Sequence, residues 1–239
     1  MMRELSAVVL LASGLALSGC ASTDSTGAND PFEQTNRVIF DSNMKVDRAV
    51  LLPTAKFYVE VVPKPARDGV HNVLTNLDLP ITFANDVLQG EFSRAGETVT
   101  RFGVNSTIGI AGLFDVATKW GVPYHTEDFG QTLGTYGVGE GPYLVLPFLG
   151  PDPPRDAAGQ VVDIFLDPTT YISIRSHLWW SVARQGTNVL DLRSRNIDTM
   201  ESIERTSVDY YATVRSLYRQ ARDNEIRNGK SNVQDLPNF

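Results

Sequence analysis

Residues 128–154 read Asp128-Phe129-Gly130-Gln131-Thr132-Leu133-Gly134-Thr135-Tyr136-Gly137-Val138-Gly139-Glu140-Gly141-Pro142-Tyr143-Leu144-Val145-Leu146-Pro147-Phe148-Leu149-Gly150-Pro151-Asp152-Pro153-Pro154. The stretch holds six of the chain's 19 glycines, so its backbone turns sharply or comes close to a neighbour at several points, a pattern that predicts no ordinary helix. Inside it, the apolar run from Tyr143 to Leu149 reads as a short strand or hairpin from its β-branched and aromatic content, with Pro147 at an edge or a turn. The shape implied is an apolar finger on a flexible collar; a structural surface loop is the other reading. Gly137, Gly139 and Gly141 alternate and Pro142 follows them. A dinucleotide loop instead needs its third glycine three residues after the second, a strand before it and a helix after it.

Outward from this stretch, 239 residues make one domain, or two at most. Hydrophobic content of 42% with 21% charged residues belongs to a globular chain. A net charge of −7 without a basic cluster argues against a nucleic-acid partner, whose phosphates call for a cationic surface.

The first residues read as an address. Arg3 precedes an apolar run over residues 5–17, too short to span a bilayer as a stable helix, and Leu17-Ser18-Gly19-Cys20 resembles the bacterial lipobox. That resemblance implies a signal peptide over residues 1–19 and a mature chain beginning at an acylated Cys20. The cleaved part carries one Arg and one Glu, so the net charge stays at −7, and the only cysteine is taken by the lipid, leaving none for a disulfide or a zinc site. Each buried methylene contributes about 0.8 kcal/mol, so several acyl chains hold a protein to a membrane. Ala21 and Ser22 follow the cysteine. In bacterial lipoproteins an acidic residue there favours inner-membrane retention, and its absence points to the outer membrane. Residues 20–29 read as a lipidated tether, residues 30–228 as one helical domain and residues 229–239 as a polar tail.

Asp30-Pro31-Phe32-Glu33 predicts a helix start, with Asp as cap, Pro at the first helical position and Glu closing a capping box. Phe32, Ile39, Phe40 and Met44 share a face of a helix expected to end before Pro53, followed by a segment over residues 55–62. Val70, Val73, Leu74 and Leu77 predict another amphipathic helix, separated by Pro80 from residues 81–88. Ser93 is placed to cap a helix carrying Ala95, Val99 and Phe102, and residues 108–117 form an apolar stretch whose small residues suit close packing. Residues 161–166 are an apolar run ended by Pro168. Trp179-Trp180 suits a membrane–water boundary and equally a packed core. Asp198 with Glu201 predicts a capping box for a last helix whose face carries Ile203, Tyr210, Val214, Leu217 and Ala221, ending at Asn228-Gly229. The expectation is a mainly α, single ring-like domain of short amphipathic helices with one hairpin-like glycine-rich segment.

Enzyme signatures are missing. His71, His125 and His177 each stand without a second His or Cys at ligand spacing, and there is no Gly-x-Ser-x-Gly elbow and no phosphate-binding loop. Glu127 with Asp128 is placed to open a short helix, where two acids stabilise its dipole. The expectation is a protein with no cofactor, no metal and no catalysis.

Several motifs in order carry a family resemblance. They are Asn29-Asp30-Pro31-Phe32-Glu33 with Asn36-Arg37 and Phe40; Asn85-Asp86 with Leu88-Gln89-Gly90; Arg101-Phe102 with Asn105-Ser106-Thr107-Ile108-Gly109; and the glycine-rich stretch through to Arg155-Asp156. From residue 30 to about residue 168 the chain resembles the MlaA family, also called VacJ. The resemblance implies an outer-membrane lipoprotein of the lipid-asymmetry pathway of a Gram-negative bacterium, on the periplasmic side. It implies a helical ring with an amphipathic channel, associated with trimeric porins, that removes misplaced phospholipids from the outer leaflet and passes them to a periplasmic carrier, MlaC. On that basis Tyr143, Leu144, Val145, Leu146 and Phe148 are the expected apolar gate. Gly137, Gly139 and Gly141 are its hinges, and Asn43, in the segment 38–46, lies against the channel wall. A porin scaffold without a channel and a phospholipid-cleaving enzyme remain as other readings.

Overall fold

The computed structural model describes residues 29–171 and 177–230, so the signal segment, Cys20, most of the tether, the tail beyond residue 230 and the side chain of His177 lie outside the described residues. The fold is mainly α with one small hairpin.

Helix α1 (Glu33–Val46) passes through a π-helical turn (Asp47–Leu51) into α2 (Leu52–Val61) without a break. The helix expected to end before Pro53 therefore continues, because the wider turn resets the hydrogen-bond ladder immediately ahead of the residue that lacks an N–H. Asp30 does not cap α1, which starts at Glu33 with no side-chain cap. Its carboxylate is turned inward, accepting from Asn36 Nδ2 at 2.8 Å, from Arg215 Nη1 at 2.6 Å and from the Tyr211 hydroxyl.

Helix α3 (Lys64–Leu88) carries Pro80 in its interior, so the expected break there is also absent. A proline inside a helix costs about 3 kcal/mol, and packing of α3 against several neighbouring helices offsets it. Helix α4 (Phe92–Thr107) begins one residue before Ser93, which does not cap it. Residues 108–115 form a tight loop in which Ile110, Ala111 and Gly112 all adopt positive φ, leading to α5 (Val116–Lys119). The glycine-rich stretch does contain a helix, α6 (Phe129–Thr135), capped by the Asp128 side chain.

Strands β1 (Val145–Leu146) and β2 (Gly150–Pro151) pair antiparallel as the expected hairpin. After α7 (Pro154–Leu166) and a 3₁₀ turn (Pro168–Tyr171) come α8 (His177–Arg195), α9 (Ile197–Thr206) and α10 (Tyr210–Ile226). The last two were expected as one helix. Asp198 lies inside α9 rather than capping it, and Asp209 starts α10 by accepting from Ala212 N at 3.1 Å.

The elements meet in a closed circuit: α2 on α8, α8 on α3, α3 on α7, α7 on α6 and α6 on α10. Helix α10 returns to α1 through Asp30 and through Arg37, whose guanidinium donates to both oxygens of Asp209 at 3.1 and 2.6 Å. Phe40, Tyr143, Val145 and Tyr211 form the apolar core at this closure, with edge-to-face ring pairs at 5.4 to 6.2 Å.

The Arg37 hydrogen bonds, and then the Ala212 N–H, hold the Asp209 carboxyl down at about 2, below its ordinary 3.8. The stabilisation it gives is complete above the ordinary value and is lost as pH falls through about 2. Asp209→Asn, which keeps a capping side chain, should lower stability at neutral pH by no more than about 1 kcal/mol and flatten the acid limb of the pH–stability curve. Asp209→Ala should cost about 1 kcal/mol more through the lost cap. Thermal unfolding in detergent between pH 2 and 7 reads both.

Candidate functional site

The site is the hairpin, its collar and the helix face that holds it. Residues 136–142 lead from α6 into the hairpin, with Gly137 and Gly141 in the left-handed region at φ of 82° and 80°, where a side chain would strain the backbone. Gly139 has an ordinary φ and open space around a built Cβ. The collar is pinned from outside: Arg219 pairs with Glu140 at 2.6 Å and Asn29 Nδ2 donates to the Gly141 carbonyl at 2.7 Å.

Helix α1 grips the hairpin with two asparagines seven residues apart, which places them on one face two turns from each other. Asn36 donates to the Tyr143 carbonyl at 2.9 Å and accepts from Val145 N at 3.0 Å. Asn43 donates to the Leu146 carbonyl at 2.9 Å and accepts from Phe148 N at 2.9 Å. Each amide thus reproduces the paired bonds of a neighbouring strand, and helix α1 serves as the missing edge of a two-stranded sheet. Asn43, expected beside the channel wall, is found on the hairpin itself. Asn36 entered the sequence reading only through a motif. The signal that could have found it was a polar residue recurring seven positions before Asn43 on the face that carries Phe40.

The expected gate residues divide. Tyr143 and Val145 are fully buried in the aromatic core, so they anchor the hairpin and do not face open space. Leu144 and Leu146 are half-buried, while Phe148 is 80% exposed at the turn, with a positive φ of 65°, beside exposed Leu149. Burial pushes the Tyr143 hydroxyl up from its ordinary value, so it stays a neutral phenol. Burial, and then the adjacent Asp156, push Asp152 just after the hairpin up to about 6.

Behind the collar, Arg222 donates to both oxygens of Asp128 at 2.6 and 2.7 Å and to Asp156 at 2.9 Å, tying α10 to the starts of α6 and α7. This knot explains two glycines. A Cβ on Gly130 would sit 2.5 Å from the Arg222 guanidinium, and one on Gly159 would sit 2.3 Å from the Gly130 nitrogen.

Around the ring the polarity is inverted. Among the described residues nine apolar side chains are buried against nineteen polar or charged ones, the reverse of a water-soluble domain. The interface of α3 with α4 is a polar ladder. Gln89 and Arg94 donate to Glu127 at 2.8 and 2.5 Å, Thr98 donates to Asp86 at 2.7 Å, His125 meets Asp86 at 3.0 Å, Asn76 donates to Ser106 at 3.0 Å, and Arg101 and Asn105 donate to Asp115 at 2.9 and 3.1 Å. Phe57, Phe83, Phe92, Phe102, Phe165 and Trp179 are exposed. No helix among the described residues is long and apolar enough to cross a membrane. His71 is partnered by Asp191 at 2.8 Å, and no group of three metal-ligating side chains occurs among the described residues.

Asn43→Ala should free the hairpin turn while leaving the helices intact, visible as faster amide exchange over residues 144–150 with unchanged helix content. Asn36→Ala removes three buried hydrogen bonds and should cost about 2 to 3 kcal/mol of stability as well.

The model of the MlaA lipoprotein family matches residues 28–225. The chain is 33% identical to the "Intermembrane phospholipid transport system lipoprotein MlaA" of Haemophilus influenzae, over 96% of this chain and 93% of that one. It is 36% identical to the protein of the same name from Escherichia coli K12, over 93% and 89%. A solved structure described as "Structural basis for maintenance of bacterial outer membrane lipid asymmetry" superposes with a TM-score of 0.75 at 34% identity, covering 82% of this chain and 98% of that one. The chain belongs to the MlaA lipoprotein family.

Proposed function

We propose that this protein is an outer-membrane lipoprotein, held on the periplasmic side through Cys20, that removes misplaced phospholipids from the outer leaflet and delivers them to a periplasmic carrier such as MlaC. The inverted polarity carries the reading: a ring whose polar groups are paired with one another at its helix interfaces while large apolar side chains stay exposed is arranged to sit among acyl chains. The exposed apolar rim is also the surface on which a trimeric porin would rest.

The energetics require a path for the lipid. Exposing two acyl chains of about 30 methylenes to water costs roughly 24 kcal/mol at about 0.8 kcal/mol each, and taking a charged headgroup through hydrocarbon costs several more. A passage with polar groups on one side and apolar groups on the other removes both costs, and the lipid then moves without catalysis or a cofactor. The hairpin serves as its gate. Tyr143 and Val145 fix its base, Leu144, Leu146 and Phe148 present its apolar surface, and the collar at Gly137, Gly139 and Gly141 sets its position.

Loss of the protein should raise outer-leaflet phosphatidylethanolamine, measured by an amine-reactive label that does not enter the cell. The intact chain should reverse this and Cys20→Ala should not. Gly139→Val, which meets open space, should leave the fold intact yet impair the rescue, and Leu146→Asp should impair it too. Full rescue by both variants would remove the gate and favour a porin scaffold. An unchanged outer leaflet in the deletion strain would remove the transport reading.

A further inference from the structure

Two adjoining cavities lie away from the hairpin, between α3, α8 and the segments flanking them. The first, about 660 Å³, is apolar: Val70, Val73 and Leu77 of α3 face Phe114 and Trp180 across it. The second, about 370 Å³, is mixed: Asp78, Asp163, Asp167, Gln160 and Asn188 line it beside the apolar side chains of Ile81, Ile164 and Trp180. Trp180 and Arg184 line both. Arg184 stands at the boundary, its guanidinium donating to Asp78 at 2.6 Å, to Asp167 at 2.5 Å and to Thr169 at 3.1 Å.

We propose that this pair of cavities holds one phospholipid, with an acyl chain in the apolar chamber and a headgroup bearing a primary amine, that of phosphatidylethanolamine, beside the carboxylates of the second. The inference rests on the transport reading in taking a phospholipid as cargo, and adds where it is held and which headgroup is preferred.

The pair offers an amphiphile an apolar chamber and an adjoining one that carries charged groups, with Trp180 and Arg184 at the junction where a glycerol backbone and phosphate would lie. Charge decides the headgroup. Among the described residues three carboxylates and one guanidinium line the second chamber, and that guanidinium is shared between Asp78 and Asp167. An anionic glycerol headgroup brings a net negative charge to this surplus of carboxylates. A zwitterionic headgroup can set its phosphate beside Arg184 and its ammonium among the acids, as charge complementarity requires. Burial raises Asp78 and Asp163 above their ordinary range, and a neighbouring ammonium would offset that rise. Asp163 is engaged with Phe129 N at 3.0 Å and Asn85 at 3.0 Å, so Asp78, paired with Arg184 but more exposed than Asp167, is the acid placed to share an ammonium with it.

The test is competition on the full-length acylated chain in detergent. Equal amounts of phosphatidylethanolamine and phosphatidylglycerol with matched acyl chains are added, and bound lipid is read by native mass spectrometry. Phosphatidylethanolamine should exceed phosphatidylglycerol by about fivefold, the size of one partly exposed charge pair. Asp78→Asn, which keeps the side-chain shape, should bring the ratio to about one. Ala183→Trp, placed on the exposed rim of the apolar chamber, should lower binding of both lipids together with unchanged helix content.

Equal binding of the two lipids by the unmodified chain overturns the headgroup assignment, and undiminished binding by Ala183→Trp overturns the location. A chain that shows neither preference nor sensitivity here, yet still lowers outer-leaflet phospholipid in cells, loses this site and keeps the transport reading. A chain that passes the binding test but leaves the outer leaflet unchanged keeps the site and loses the transport reading.

Discussion

A buried polar group without a partner costs about 1 to 3 kcal/mol, so a protein that exposes its apolar faces is driven to pair most of its polar groups with one another. The ladder between α3 and α4 meets this constraint, and the rest of the ring depends on it. Glu127, Asp86 and Asp115 each gather donors from two or more segments, which fixes the rotation of both helices about their axes. Once that rotation is set, Phe83, Val87, Phe92, Val99 and Phe102 have no side left to occupy but the outer one. A mismatch at Glu127, Asp86 or Asp115 would leave a carboxylate without its donors, and that penalty makes the arrangement specific.

The same logic closes the ring. Asp30 and Arg222 gather the chain's ends: the first draws α10 to the entry of α1, and the second ties α10 to α6 and α7. Between these two junctions lies the hairpin, too short to be stable alone, since two residues per strand bury almost nothing. Its order is borrowed from α1 through Asn36 and Asn43 and from the aromatic core through Tyr143 and Val145. A loop fixed at its base and exposed at Phe148 has its moving part confined to the tip, which suits a gate beside a lipid path.

Much of this was legible in the sequence, and what was not has a physical reason. Helical spacing showed the face of α3 on either side of Pro80 and that of α10, though not the break between α9 and α10; the apolar run showed the hairpin, and the acid opening α6 was read as such. Pro53 and Pro80 misled, because a proline ends a helix only where nothing replaces the lost hydrogen bond; a π turn does so at one and packing at the other. The glycines at 130 and 159 carry no mark of their role, since what they make room for is an arginine some ninety residues away in one case and another backbone in the other. Asp30 and Asp209 illustrate one ambiguity twice: an aspartate ahead of a helix can cap it or reach across the fold. Asp209 does both and Asp30 only the second. The amphipathic stripes were visible, but which side of each faced the interior was not, because the usual rule of apolar inside is reversed here.

That reversal is the central claim, and lipid accessibility tests it most directly. The sequence holds a single cysteine, Cys20, which the lipobox assigns to acylation, so single cysteines introduced elsewhere report one position each. With the full chain in liposomes, a fluorophore at position 102 or 165 should be quenched by phospholipids spin-labelled along the acyl chain and stay insensitive to a water-soluble quencher. A probe at exposed Lys119 should show the opposite. Quenching of positions 102 and 165 from water alone would mean that these phenylalanines face solvent, and the ring could not then be a lipid-embedded passage.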